Sequence, residues 1–110
     1  MNEKIIADTL KGKNILITGG TGSFGHQIVR DILPLNPACI HIYSRDEKKQ
    51  YEMAMSYQKY KNIRFNIGDV RNLERTRDAM RGIDIVFNAA ALKQVPNCEY
   101  APYEAVETNI

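Results

Sequence analysis

Asn14-Ile15-Leu16-Ile17-Thr18-Gly19-Gly20-Thr21-Gly22-Ser23-Phe24-Gly25 is the stretch on which the reading of this chain turns. Its first five residues form a short apolar run rich in β-branched side chains, the pattern of a strand buried on both faces. Glycines end the run, and from Ser23 the period changes. Phe24, Ile28 and Ile32 recur every four residues with Val29 and Leu33 beside them, one apolar helical face that Pro34 should stop. A buried strand therefore passes through a glycine turn directly into an amphipathic helix.

Working outward, the same alternation repeats. Cys39-Ile40-His41-Ile42-Tyr43 predicts a second strand, followed by the polar turn Ser44-Arg45-Asp46 and a helix from about Glu47 to Tyr60 with Tyr51 and Met55 on one side. Ile63, Phe65 and Ile67 alternate with Arg64 and Asn66, a third strand with one face less buried and a candidate sheet edge. Leu73, Arg77 and Met80 share a side of a third helix, capped near Asp69 or Asn72 and ended by Gly82. Ile83 to Phe87 is the fourth strand, and Pro102 to Ile110 reads as the start of another helix. Strands alternating with helices imply right-handed crossovers and a parallel sheet in the order 3-2-1-4. The expectation is an α/β chain, the N-terminal half of a Rossmann-type doubly wound parallel sheet, with residues 1–110 as one NAD(P)-binding domain whose remainder and substrate domain are absent.

Composition narrows the function classes. The 110 residues are 44% hydrophobic and 25% charged, which places the chain among globular domains. Its net charge of +2 comes from 15 basic and 13 acidic residues spread along the sequence, so nothing supports a nucleic-acid partner. No apolar run approaches the roughly 20 residues that span a bilayer, and Met1 to Lys13 lacks the apolar core of a secretory signal. Cys39 and Cys98 are far apart and outside any C-x-x-C pair, as expected of thiols in a reducing compartment, and the predicted location is cytoplasmic. His26 and His41 have no partner at ligand spacing, so no metal site is predicted.

The sharpest chemical signal is Gly19-x-x-Gly22-x-x-Gly25 at a strand-to-helix junction. Each glycine has a mechanical use: a sharp turn out of the strand, close approach of backbone to a pyrophosphate, and tight packing of helix on sheet. The helix N-terminus offers free N–H groups and about half a positive charge to phosphates, with Thr21, Ser23 and Phe24 lining the opening. In a dinucleotide fold the end of the second strand meets the adenosine ribose, and here it reads Tyr43-Ser44-Arg45-Asp46. Ser44 can hydrogen-bond, and Arg45, with Lys48 nearby, can pair with a 2′-phosphate, which favours NADP. Asp46 keeps NAD open, because it could take the acidic ribose-binding role. The plain alternative for Arg45 and Lys48 is a solvated helix start.

With these residues in place, the chain resembles the extended short-chain dehydrogenases/reductases, and within them the UDP-N-acetylglucosamine 4,6-dehydratases, including the 5-epimerising members of bacterial capsule and O-antigen synthesis. The resemblance rests on Ile15 to Gly25, on Ser44-Arg45-Asp46-Glu47-Lys48-Lys49-Gln50, on Gly68-Asp69-Val70-Arg71, and on Ala89-Ala90-Ala91-Leu92-Lys93-Gln94-Val95-Pro96. It implies that Asp69 and Val70 flank the adenine, that Ala89, Ala90 and Ala91 line the nicotinamide side, and that Lys93 sits by the cofactor ribose or the substrate. Read without it, Asp69 is equally a helix cap and the alanines a tight strand exit. Lys93, Gln94, Asn97 and Glu99 form a polar loop at the carboxyl end of the fourth strand, where open α/β sheets place ligands, and Lys93, Gln94 and Glu99 are the candidate substrate contacts, with a plain surface loop the alternative for Gln94, Asn97 and Glu99.

The resemblance further implies an enzyme that oxidises C4 of a UDP-sugar by hydride transfer to NADP, eliminates water across C5 and C6, and returns the hydride. A nucleotide-sugar 4-epimerase is the alternative within that class, and a non-catalytic NADP-binding sensor or scaffold is the alternative outside it. The family's Tyr-x-x-x-Lys pair is expected beyond Ile110, so the segment alone should be inactive. Tyr57 and Lys61 match that spacing but lie between the second and third strands, remote from any sugar. The outer edge of the fourth strand is expected to be open, and such edges recruit other chains, so a homo-oligomer is predicted.

Overall fold

The computed structural model describes residues 3–89 and the strand 105–107. Strand β1 (Asn14–Thr18) is central, and Ile15, Leu16 and Ile17 are fully buried because both neighbours and both faces are covered. It pairs in parallel with β2 (Cys39–Ser44), setting Ile15 beside Ile40 and Ile17 beside Ile42. On its other side it pairs in parallel with β4 (Ile85–Asn88), Ile17 beside Phe87. Strand β3 (Ile63–Ile67) joins β2 in parallel and forms the edge, with Ile67 40% exposed. The expected 3-2-1-4 order and parallel sense are those of the structure.

The two faces are unequal. On one, Ile15, Ile17, Ile40, Ile42 and Phe87 meet Ile28, Val29 and Ile32 of α2 (Ser23–Ile32) and Met53 of α3 (Glu47–Ser56). On the other, Leu16 and Tyr43 pack with Ile83 and with Ala79 and Met80, at and just after the end of α4 (Leu73–Ala79). Helix α1 (Glu3–Leu10) was not anticipated. It seals the large core through Leu10 and Ile6, a single i, i+4 pair, and Gly12 turns the chain out of it with φ +72°.

Several expectations are corrected. Helix α2 does not stop sharply at Pro34 but tightens into a 3₁₀ turn, Leu33–Leu35, with Asn36 left-handed at φ 59°. Helix α3 ends at Ser56, and its expected apolar side is turned to solvent: Tyr51 is 69% and Met55 51% exposed, while Gln50 and Met53 are buried. The inward polar residue is Gln50, whose Nε2 donates to Ser44 Oγ at 3.2 Å and to the Asn66 carbonyl at 2.8 Å, bridging the ends of β2 and β3. Leu73 of α4 is likewise exposed; Asn72, accepting from Arg75 N–H at 3.1 Å, is the cap, and Thr76 points inward. The tail is not a nascent helix over Ala105–Glu107, which form β5, antiparallel to β4 with Val86 beside Val106. That pairing satisfies backbone groups of β4 expected to lie open and moves the edge of the sheet to β5.

Candidate functional site

The carboxyl ends of β1, β2 and β3 open on a cleft of about 610 Å³. Its floor is the glycine turn. Gly19 has φ +67°, a conformation that L side chains rarely adopt, and its N–H donates to the Tyr43 carbonyl at 2.8 Å. Gly25 lies in the first turn of α2, where a Cβ would fall on the backbone of Gly20, so helix and turn touch through backbone alone. Gly22 occupies the N-cap position in extended conformation, and its backbone forms part of the cleft wall with Gly19 and Thr21. No side chain caps this end of α2 and its first turn has no acidic residue, which leaves its N–H groups and the positive end of the helix dipole for an anion. Two of the three glycine roles read from spacing thus have a geometric basis at Gly19 and Gly25.

The β2 exit supplies Tyr43, Ser44, Arg45 and Asp46. Ser44 is buried and accepts from Gln50, with its own hydroxyl proton still available to donate. Asp46 is the N-cap of α3: its Oδ1 accepts from Lys49 N–H at 3.0 Å, so one oxygen of the group that kept NAD open is engaged in capping. Arg45 is exposed on the rim. Lys48 does not line the cleft; Lys49 does, because one helical residue turns the side chain by about 100°.

The β3 exit supplies Gly68, Asp69, Val70 and Arg71. Asp69 does not cap α4. Its Oδ1 accepts from the Arg71 backbone N–H at 2.9 Å, and both oxygens accept from the Arg71 guanidinium, the shortest contact being Nη2 to Oδ2 at 2.7 Å. The side-chain and backbone bonds from Arg71 hold the Asp69 carboxyl well below the usual carboxylate range, with Arg45, at 3.6 Å from Oδ2, adding to the effect. The same pairing raises the pKa of Arg71. Behind this turn stands Tyr43, fully buried, whose hydroxyl donates to the Asp69 carbonyl at 3.1 Å and lies 3.1 Å from Thr76 Oγ1. Gly68 is required here because a Cβ would enter the Tyr43 ring.

The structure therefore brings Gly19, Thr21, Gly22, Ser44, Arg45, Asp46, Asp69 and Val70 together around one cleft. It does not bring Ser23, Phe24 or Gly25 onto the wall: Ser23 is exposed, Phe24 packs against the core, and Gly25 is pressed on Gly20. Ala89 is buried in the core rather than presented at a surface. Ala90, Ala91, Lys93, Gln94, Asn97 and Glu99 lie outside the described residues. Tyr57 and Lys61 do not line the cleft; Tyr57 follows α3 with its ring 6.4 Å from that of His26. Sequence reasoning missed Tyr43, Lys49, Gly68 and Arg71 as wall residues. Each lay in a stretch already quoted, Tyr43 to Asp46, Ser44 to Gln50 or Gly68 to Arg71, but none of the four was given a role there. No helix among the described residues is long and apolar enough to cross a membrane.

Comparison with known proteins agrees with this fold. The chain is 51% identical over 102 residues to a UDP-glucose 4-epimerase of Rickettsia typhi, a match covering 89% of this chain and 30% of that protein. Pen from Bacillus thuringiensis superposes with a TM-score of 0.67 at 42% identity, over 70% of this chain and 24% of Pen. WbmF of Bordetella bronchiseptica, solved with NAD+ and UDP, superposes with a TM-score of 0.59 at 19% identity, over 73% of this chain and 23% of WbmF, a likeness of fold. Residues 15–110 match the family described as polysaccharide biosynthesis protein, and the chain belongs to that family.

Proposed function

We propose that this chain is the NAD(P)-binding part of an enzyme that oxidises and re-reduces C4 of a UDP-sugar in surface polysaccharide synthesis. The carrying observation is the cleft: a glycine turn under an uncapped helix N-terminus at one end, and Arg45 beside the β2 exit at the other. These residues fit a dinucleotide. Gly19, Thr21 and Gly22 would hold the pyrophosphate, Ser44 and Arg45 the adenosine ribose, and Asp69 and Val70 the adenine. When bound, the nicotinamide supplies the hydride acceptor, while the chain's residues orient it and keep its phosphates fixed. Arg45, with Lys49 on the same wall, supports NADP; the NAD+ in WbmF supports a nicotinamide cofactor of either kind.

Two outcomes share the C4 step. The Rickettsia relative's name supports inversion at C4. The stretches Ser44 to Gln50 and Ala89 to Pro96 support loss of water to a 4-keto-6-deoxy sugar. Calorimetric titration with NADP+ and NAD+ tests the cofactor reading, and Arg45→Ala should weaken NADP+ more than NAD+. Equal losses would make Arg45 a surface charge only. Product analysis on the full-length protein with UDP-glucose and UDP-N-acetylglucosamine separates epimer from 4-keto sugar, and absence of both products beside tight cofactor binding would favour a non-catalytic sensor.

A further inference from the structure

Three cationic side chains, Arg45, Lys49 and Arg71, share the cleft wall with two carboxylates, Asp46 and Asp69. The carboxylates are not equally free. Asp46 is committed to the first turn of α3 through Lys49 N–H. Asp69 is within reach of both arginines, but its contacts are unequal: Arg71 bonds both oxygens through Nε at 3.1 Å and Oδ2 through Nη2 at 2.7 Å, whereas Arg45 Nη1 stands 3.6 Å from Oδ2. A carboxylate saturated by one guanidinium fork has little left to offer a second, so Arg45 keeps its charge for an incoming anion. Were Arg71 absent, the same carboxylate would need only a small movement to close on Arg45 and neutralise it.

We propose that Arg71 is a positioning residue for cofactor choice: by holding both oxygens of Asp69, it keeps Arg45 available to an adenosine 2′-phosphate and so sets the preference for a 2′-phosphorylated dinucleotide. The inference rests on the dinucleotide reading above. It differs from direct phosphate binding by Arg71, because the effect runs through Asp69 and must vanish when Asp69 loses its charge.

The test uses 5′-AMP and adenosine 2′,5′-bisphosphate as probes of the adenosine end alone, with affinities measured calorimetrically on the full chain. Wild type should favour the bisphosphate. Arg71→Gln should lower that preference, the ratio of the two affinities, by about tenfold, the scale of one charge-assisted contact. Asp69→Asn should preserve or increase the preference. In the Asp69→Asn background, Arg71→Gln should have no further effect on the ratio, and Arg71→Lys, which keeps the charge without the fork, should fall between wild type and Gln in the Asp69 background. A full loss persisting in the Asp69→Asn background would overturn the proposal in favour of direct contact. Equal losses for both probes would overturn it in favour of a purely structural role. Binding of neither probe, nor of NAD+ or NADP+, by wild type would overturn the dinucleotide reading itself, whereas binding with no preference overturns this inference alone.

Discussion

Gly25→Ala is the perturbation that most directly joins fold and site. A Cβ there meets the carbonyl oxygen, carbonyl carbon and Cα of Gly20, all backbone, so no side-chain rotation can relieve it. Helix α2 must lift from the turn, and it carries Ile28, Val29 and Ile32, exposed by 0%, 0% and 3%. Overpacking in a well-filled core costs about 1–3 kcal/mol, and a backbone partner places this case near 3. Replacing a helical glycine by alanine returns about 1 kcal/mol, leaving a loss of about 2. For a domain of this size that lowers Tm on the order of 10 °C. Thermal unfolding followed by circular dichroism measures it, with NADP+ titration below the transition; cofactor affinity should fall too, because Gly22 and the helix N-terminus move with α2. Gly12→Ala separates the two readouts: its Cβ meets open space and only the left-handed φ of +72° is strained, so stability should fall by about 1–2 kcal/mol with cofactor affinity unchanged. A Gly25→Ala protein with a Tm within about 2 °C of wild type would refute the close-packing argument.

Tyr43→Phe should cost about 0.5–1.5 kcal/mol, because Thr76 Oγ1 still donates to the Asp69 carbonyl at 3.3 Å, and should weaken 5′-AMP binding; unchanged Tm and unchanged affinity together would show that the hydroxyl holds nothing. Met53→Ala, at a residue 1% exposed, should cost about 2–5 kcal/mol in urea unfolding, and a loss below about 1 would mean that α3 is loosely seated. Burial, and then the charge of Arg64, lower the pKa of His41 below 6.5. The unfolded chain therefore takes up the proton first, so stability is full above about pH 6.5, declines as pH falls below it, and levels off beneath the native pKa. A urea-midpoint profile from pH 8 to 5 should show that step, and His41→Gln should remove it; a step unchanged in the variant would assign it to another group.

The parts of this fold legible in the sequence are those whose cause is local. Asn14 to Thr18 reads as a buried strand because every residue of a central parallel strand meets side chains on both faces, and the glycine spacing reads as a turn because Gly19 needs a positive φ and Gly25 a missing Cβ. Periodicity misled where a polar residue took the inward position. Tyr51 and Met55 form an apolar pair on α3, yet Gln50 is buried because the bare ends of β2 and β3 offered it two acceptors. Strand β5 had no local signature, since Ala105–Glu107 are strand only through pairing with β4, about 20 residues earlier. The grip of Arg71 on Asp69 was hidden for a different reason. Both residue types were in view, but their geometry depends on how the chain leaves β3.

That exit shows how the walls of the cleft are held in place. Gly68 N–H donates to the Ser44 carbonyl at 2.8 Å and Gly19 N–H to the Tyr43 carbonyl at 2.8 Å, so both turns extend the sheet's own ladders. Gln50 ties Ser44 to Asn66, and Tyr43 and Thr76 tie the Asp69 carbonyl to α4 on the opposite face. Each wall of the site is therefore anchored in a layer that the core already requires. A dinucleotide held as proposed would meet walls fixed by the core, with exposed side chains such as Arg45 and Lys49 left to be ordered. The consequence is that substitutions beneath the walls, at Tyr43 or Gly25, should act on binding through geometry, whereas those at Arg45 and Arg71 should act through charge. Raising salt should therefore erase the difference between NADP+ and NAD+ while leaving the Gly25→Ala defect intact.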